Sequence, residues 1–236
     1  AITAGVTSMG GKAILVGPMP TPAIAHLTKS FNADAGIVIS ASHNPAEDNG
    51  IKIFDSNGFK LDDKIEERIE EIILGKDLQL NKIGKAVRIK NASGRYIEFA
   101  KSSIKNYSLE GIKIVLDCAN GAAYNIAPLV FSELGAEVII LNNTPNGKNI
   151  NLNCGSEHPD VIRKAVIENN ANIGIALDGD ADRVIVVDEK GEEVNGDKIM
   201  AISALELKRK GLLKNNTVVS TIMSNLGLKK CLQENK

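Results

Sequence analysis

The 236-residue sequence contains no tryptophan, and aromatic residues make up only 3% of it. So few aromatic rings argue against a protein that binds nucleic acid by base stacking. The formal net charge of −1 gives no overall field that would attract nucleic acid or an acidic membrane surface. No apolar run approaches the length of a membrane-spanning helix. We therefore expect neither a nucleic-acid partner nor a membrane partner.

Cysteine is also scarce, and its three positions, Cys118, Cys154 and Cys231, include no Cys-x-x-Cys pair. An odd and widely spaced set of this kind does not form a disulfide framework. Reduced thiols are typical of the cytoplasm, where we expect the protein to be located. Hydrophobic residues make up 43% of the sequence and charged residues 24%, as in ordinary globular proteins.

Short runs rich in Ile and Val alternate with segments of helical periodicity along most of the chain. This alternation predicts an α/β fold of successive domains, with mixed, largely parallel sheets and helices on both faces. We expect strands at 13–17, 36–40, 51–54, 112–116, 137–141, 173–177, 184–187 and 218–221. We expect helices at 21–30 (capped by Thr21), 62–74, 94–105, 158–169, 197–210 and 225–233, another ending at 134, and a linker at 75–91.

Three aspartates, Asp178, Asp180 and Asp182, occupy alternate positions between two expected strands. In extended backbone all three side chains would share one face. Three like charges packed this closely repel each other, so a cation is expected among them. Ligands that are all oxygen favour Mg²⁺, Ca²⁺ or Mn²⁺ over Zn²⁺. The sequence therefore predicts a divalent-metal site.

Two other interpretations of the aspartates stay open at this point. Asp and Gly are common in solvated turns between strands. The aspartates and Glu189 also match the first, third, fifth and twelfth positions of an EF-hand calcium loop. However, the sixth position of such a loop requires Gly, and here it is Arg183. A non-catalytic module that binds a divalent metal is the corresponding alternative function.

A serine on a turn-rich loop is the second candidate group. Ser42 follows an expected strand and precedes His43-Asn44-Pro45, and Pro45 biases its neighbour toward extended, exposed backbone. Lys52 follows on the next strand, which can bring it back toward the serine. A loop serine is not nucleophilic by itself, so it needs a metal, a base or prior phosphorylation. An oxygen nucleophile facing a hard cation is the minimal equipment for moving a phosphoryl group.

Other nucleophile chemistries find little support. The sequence has no Gly-x-Ser-x-Gly elbow, which argues against a Ser-His-Asp hydrolase, and no Walker A motif to hold ATP. A phosphatase-like hydrolase that uses the same metal remains an alternative.

Four segments, taken in order, resemble the α-D-phosphohexomutase family: 21–24, 36–45, 48–52 and 178–183. The resemblance implies a phosphoserine at Ser42. It implies one Mg²⁺ per active site, held by the three aspartates together with the oxygen of the phosphorylated serine. It also implies an acid/base role for Lys52 and catalytic positions for His43 and Arg183.

Within that family, residues 145–151, 154–156 and 223–228 look like the phosphoglucosamine mutase branch. The resemblance then implies interconversion of hexosamine or hexose 6-phosphate and 1-phosphate through a bisphosphate. A phosphorylated hexosamine is the first substrate expected, and phosphomannomutase or phosphoglucomutase activity is the alternative. The resemblance leaves a homodimer open.

Parts of the family pattern are absent from the sequence. No arginine precedes Arg68, so the early Arg-x-Ser-Gly element is missing, and so is the Glu-x-Ser-Gly loop that contacts the sugar. We therefore expect a fragment, truncated at both ends and inactive in isolation. Its expected parts are an incomplete domain I at 1–95 with the serine loop, domain II at 96–192 with the metal loop, and the start of domain III at 193–236.

Overall fold

A computed structural model describes residues 1–75, 83–104 and 107–235. Helices and strands alternate along these residues, which is the order expected of an α/β protein. The helices are α1 (Ile2–Ser8), α2 (Thr21–Ser30), α3 (Asp63–Leu74), α4 (Ala92–Lys101), α5 (Ile126–Glu133), α6 (Pro159–Glu168), α7 (Gly196–Arg209) and α8 (Leu226–Glu234). The strands are β1 (Lys12–Leu15), β2 (Ala35–Ile39), β3 (Ile51–Asp55), β4 (Lys85–Arg88), β5 (Lys113–Asp117), β6 (Glu137–Leu141), β7 (Ile173–Leu177), β8 (Val184–Asp188) and β9 (Glu193–Val194).

The N-terminal strands form two small sheets. Strands β1 and β4 pair in parallel, and β2 and β3 pair antiparallel with Ile39 opposite Ile51. The residues of β2 alternate between buried Val38 and exposed Ile37 and Ile39. An antiparallel pair can leave one face of its strands uncovered in this way.

A five-stranded sheet in the order β6-β5-β7-β8-β9 forms the larger part of the structure. Strands β6, β5 and β7 are parallel, whereas β8 and β9 are added antiparallel. Helix α6 packs Ile162 and Val166 against Val115 and Val187 of this sheet, and all four side chains are completely buried. The mixed sheets expected from the sequence are confirmed, although only three of the six described strand pairings are parallel.

Several helices begin where local chemistry predicts. The side chains of Asp62, Asn195 and Asn225 each accept a hydrogen bond from a backbone N–H in the first turn of α3, α7 and α8, respectively. Helix α2 begins at Thr21, as expected, but Thr21 is inside the helix and Pro20 is at the capping position. The expected cap was wrong because the Thr21 hydroxyl binds a distant carboxylate instead.

Three other expectations need correction or a limit. Strand β4 lies within the segment expected to be a linker. That expectation was wrong because β4 forms by pairing with β1, which its own local sequence does not indicate. Residues 218–221 lie outside every strand that the structure describes. Helix α4 ends at Lys101 and continues as a 3-10 turn. Residues 76–82 of the expected linker and residue 105 of the expected helix fall outside the described residues.

Across the described residues, no helix has both the length and the apolarity to span a lipid bilayer.

Candidate functional site

The structure brings together two loops that are far apart in the sequence. One loop follows β2 and carries Ser42, and the other joins β7 to β8 and carries the three aspartates. The Ser42 hydroxyl donates a hydrogen bond to Asp178 Oδ2 at 3.0 Å, although 136 positions separate the two residues. A hydroxyl nucleophile therefore lies directly against a carboxylate cluster.

The aspartate loop is a tight turn and not the extended segment that we expected. Ala181 has a positive φ of 55°, and its N–H donates to the carbonyl of Asp178 at 3.0 Å. Nevertheless, one oxygen from each of Asp178, Asp180 and Asp182 lies within 4.8 Å of the others. The turn therefore brings the three carboxylates together, as extended backbone would by pointing alternate side chains to one face.

Asp178 is completely buried and is held by its own loop. Its Oδ1 accepts from the backbone N–H of Arg183 at 3.1 Å, and its Oδ2 accepts from Arg183 Nε at 3.1 Å. The Arg183 guanidinium also lies 3.4 Å from Glu157 Oε1. Arg183 is therefore fixed between two carboxylates at the edge of the cluster.

Asp180 connects the cluster to the N-terminal region. Its Oδ2 accepts from Lys52 Nζ and from the Thr21 hydroxyl, each at 2.6 Å, and its backbone carbonyl accepts from the Thr21 N–H at 2.9 Å. Lys52 Nζ also lies 3.0 Å from Asp182 Oδ2. Thr21 was missed as a site residue because nothing in its local sequence points to a partner 159 positions away.

The ion pairs around Lys52 shift the pKa values of the groups involved. Burial lowers the pKa of Lys52, but its hydrogen bonds to Asp180 and Asp182 outweigh burial, so the pKa is raised. Burial raises the pKa of Asp180, but the bonds from Lys52 and Thr21 outweigh it, so the pKa is lowered. The pair is therefore an ammonium facing carboxylates, and not a neutral amine facing a carboxylic acid.

The residues of the cluster fit a divalent cation. Among the described residues, Asp180 Oδ1 is buried without a hydrogen-bond partner, which is costly unless another group binds it. The three aspartates carry one more negative charge than Lys52 and Arg183 together neutralise. An all-oxygen set of this kind suits a hard cation. The strands β7 and β8 that flank the loop also differ from the helices that flank an EF-hand.

Ser42 itself is half-buried in a turn, where we expected an exposed and extended loop. Its φ is 57°, in the left-handed region, and its backbone N–H donates to Ser40 Oγ at 2.9 Å. His43 is exposed, and its side chain makes no hydrogen bond within the described residues. The structure therefore joins Ser42, Lys52, Arg183 and the aspartates by hydrogen bonds, and among the described residues His43 takes no part in these bonds.

Neither buried cysteine competes with Ser42 as a nucleophile. Burial, reinforced by the charge of Asp117, raises the pKa of Cys118 to about 12 and that of Cys154 to about 11. Both thiols therefore stay protonated near neutral pH. Asp117 has a structural role, because its two carboxylate oxygens accept from the N–H groups of Ala119 and Gly155.

The fold and the site together define an α/β protein of the phosphohexomutase class. Models of phosphoglucomutase/phosphomannomutase α/β/α domains I, II and III match residues 1–80, 94–191 and 195–236, respectively. The chain therefore belongs to the phosphoglucomutase/phosphomannomutase family, which confirms the resemblance seen in the sequence.

Individual relatives agree with this assignment. The chain is 59% identical over 234 residues to a phosphoglucosamine mutase of Geobacter sp. (strain M21), covering 97% of this chain and 52% of the relative. It is 56% identical over 238 residues to a phosphoglucosamine mutase of Thermoanaerobacter sp. (strain X514), covering 99% and 53%. A crystal structure of a phosphoglucomutase/phosphomannomutase family protein from Burkholderia thailandensis has a TM-score of 0.75 at 28% identity, covering 89% of this chain and 47% of that one. The chain thus spans about half the length of the curated relatives that it matches.

Proposed function

We propose that the protein of which this chain forms part is a phosphosugar mutase that interconverts a hexosamine 6-phosphate and 1-phosphate. The observation that carries the proposal is the contact of the Ser42 hydroxyl with the buried Asp178 of the carboxylate cluster. Glucosamine phosphate is the first substrate, supported by relatives at 56–59% identity that are named phosphoglucosamine mutases. The proposed location is the cytoplasm, in keeping with thiols that are free in the structure.

The reaction uses Ser42 in its phosphorylated form. In the first transfer, the bond from phosphorus to Ser42 Oγ breaks and a bond from phosphorus to a sugar hydroxyl oxygen forms, which gives a sugar bisphosphate. The bisphosphate then reorients in the site. The bond from its other phosphorus to the sugar oxygen breaks, and that phosphoryl group returns to Ser42 Oγ. The phosphate on the serine is therefore regenerated in each cycle, and the sugar phosphate is isomerised.

Lys52 is the proposed acid/base residue. Its ion pairs with Asp180 and Asp182 favour the ammonium form, which carries the proton that Ser42 Oγ takes up as the phosphoryl group leaves. It regains a proton from the attacking sugar hydroxyl. Arg183 contributes positive charge at the edge of the site, where negative charge gathers on the transferring group. A catalytic role for His43 remains a prediction that rests on the family resemblance.

Asp178, Asp180 and Asp182 would hold the metal, and an oxygen of the phosphorylated Ser42 would complete the set. Mg²⁺ bound there supplies neutralisation of the phosphoryl oxygens. The proposed organisation keeps domain I at 1–95, domain II at 96–192 and part of domain III from 193. Ser42 and the aspartates then belong to different domains, so the site forms at their junction.

A mutase assay on the full-length gene product tests the proposal, with glucosamine 6-phosphate as substrate and glucose 1,6-bisphosphate as activator. The Ser42→Ala variant should lose activity by at least about a thousandfold, because the attacking and accepting oxygen is gone. Ser56→Ala is the matched control, because Ser56 is an exposed turn serine after β3. Turnover by Ser42→Ala at the control rate would contradict the role of Ser42 as the phosphorylated group. No turnover by the wild type would favour a metal-binding module.

A further inference from the structure

The loop at residues 145–151 has no assigned part in the proposed reaction, yet it is densely hydrogen-bonded. The Asn149 side chain accepts from the Asn146 N–H at 2.9 Å and donates to the Thr144 carbonyl at 3.1 Å. The Asn146 side chain in turn accepts from the N–H groups of Lys148 and Asn149. Asn120 then accepts from the Thr144 N–H at 3.1 Å. These hydrogen bonds hold the conformation of the loop and attach it to Asn120.

The last residue of the loop is Asn151, which is 8% exposed and whose side chain contacts the serine loop. Asn151 Nδ2 donates to the carbonyl oxygens of both Ser42 and Asn44, each at 3.1 Å. The Asn151 backbone N–H donates to the Ala119 carbonyl at 2.9 Å, which anchors the residue after β5. One carboxamide thus ties two carbonyls of the serine loop to the region that carries the aspartates.

The contact lies where the two loops come closest. A Cβ added to Gly179, in the aspartate loop, would lie 2.6 Å from the Ser42 carbonyl oxygen and 2.8 Å from Asn151 Nδ2. Such distances are too short for a side chain, so only glycine allows the loops to approach this closely. The Asn151 amide therefore sits at the point where a small displacement of Ser42 changes its distance from Asp178.

We infer that Asn151 is a positioning residue, whose carboxamide holds the Ser42 turn so that the hydroxyl faces the aspartates. Ser42 has a φ of 57°, a conformation that non-glycine residues adopt only when their surroundings favour it. Two hydrogen bonds on the carbonyls of the turn supply part of that stabilisation. The inference rests on the proposed function, because it assigns Asn151 a role in presenting the nucleophile.

Asn153 provides a matched control two residues away. Asn151 and Asn153 have nearly the same φ, 57° and 53°, so replacing either by alanine carries the same backbone penalty. Asn153 is exposed, and its side chain makes no hydrogen bond within the described residues. A difference between Asn151→Ala and Asn153→Ala therefore reports the carboxamide. Asn151→Asp and Asn153→Asp form a second pair, which keeps side-chain size but replaces the donor by an acceptor.

The variants are made in the full-length gene product and assayed with glucosamine 6-phosphate and glucose 1,6-bisphosphate. Asn151→Ala should lower kcat by about 10–100-fold while KM changes by less than about threefold, because misplacing a reacting group slows the chemistry and leaves substrate binding intact. Asn153→Ala should change neither constant by more than about twofold. Equal kcat values for the pair, or a change confined to KM, would overturn the inference.

Hydrogen exchange separates this inference from the proposed function. Peptides spanning residues 40–50 should exchange faster in both Asn151 variants than in the Asn153 variants, at matched thermal stability. If wild-type Ser42 takes up no phosphate from glucose 1,6-bisphosphate, the proposed function fails, and faster exchange would still support the positioning role. Equal exchange in the two pairs would overturn that role whatever the activity.

Discussion

The two loops of the candidate site are flanked by elements that differ in how well they are packed. The aspartate loop joins two strands of a five-stranded sheet whose core includes the completely buried Val115, Ile162 and Val187. The serine loop joins the two strands of a hairpin whose Ile39 is 64% exposed, and helix α3 beyond it has no buried residue among those described. The carboxylates are therefore held by the sheet, whereas the serine depends on contacts that reach across to it.

This difference has a functional consequence. Ser42, Thr21, Lys52 and Asn151 donate hydrogen bonds between the N-terminal region and the aspartate region. These four bonds end on Asp178, Asp180 or the Ser42 carbonyl, so the same contacts that join the regions also orient the reacting groups. Loss of one such contact should affect chemistry more than stability, and loss of sheet packing should do the reverse.

The largest expected effect is on the stability of the sheet. Ile162→Ala should lower the free energy of unfolding by about 2–5 kcal/mol, because it leaves a cavity in a close-packed core. Ile73→Ala on α3 is the matched control, and its effect should stay within about 0.5 kcal/mol because Ile73 is 74% exposed. Urea unfolding of both variants measures the difference. Similar losses for the two variants would show that the regions are equally well packed.

The next effect concerns the cation. Asp180→Asn should weaken Mg²⁺ binding by at least about a hundredfold, because it removes the charge of a carboxylate whose Oδ1 is buried and unpartnered among the described residues. Asp160→Asn is the control, since the Asp160 side chain is 95% exposed on α6. Calorimetric titration with MgCl₂ measures both affinities. Equal affinities would argue against the aspartate loop as the metal site.

The smallest effect tests a contact between the regions. Thr21→Val removes the hydroxyl that binds Asp180 Oδ2 and should lower Mg²⁺ affinity by about tenfold. Thr28→Val removes a second buried hydroxyl of the same helix, one that donates to the Ile24 carbonyl far from the aspartates. That variant should leave Mg²⁺ affinity within about twofold. A similar loss in both variants would mean that Thr21 acts only through the stability of α2.

The sequence predicts most of this arrangement where the signal is local. Strand β6 matches its predicted range. The acidic motif indicates a candidate metal-binding loop, even though its backbone forms a turn and not the expected extended segment. Strand β4 was missed because its order comes from a parallel partner more than 70 positions earlier, Lys12 opposite Lys85. Hydrophobic patterning cannot show such a partner.

The contacts of Thr21 and Asn151 across the two regions were beyond prediction for the same reason. Thr21 looks like a helix cap and Asn151 like a turn residue, and each has that local character in many proteins. Their partners lie 159 and 109 positions away, so only the folded chain shows which polar group each one meets.

We propose that Ser42 and the aspartates form one site for phosphoryl transfer. The most direct test of this proposal is to incubate the full-length gene product with glucose 1,6-bisphosphate and MgCl₂, and then to map phosphate by peptide mass spectrometry. We expect one phosphate on Ser42 in the wild type and little or none on Ser42 in Asp178→Asn. Phosphate on another residue, or undiminished labelling of Ser42 in Asp178→Asn, would contradict it.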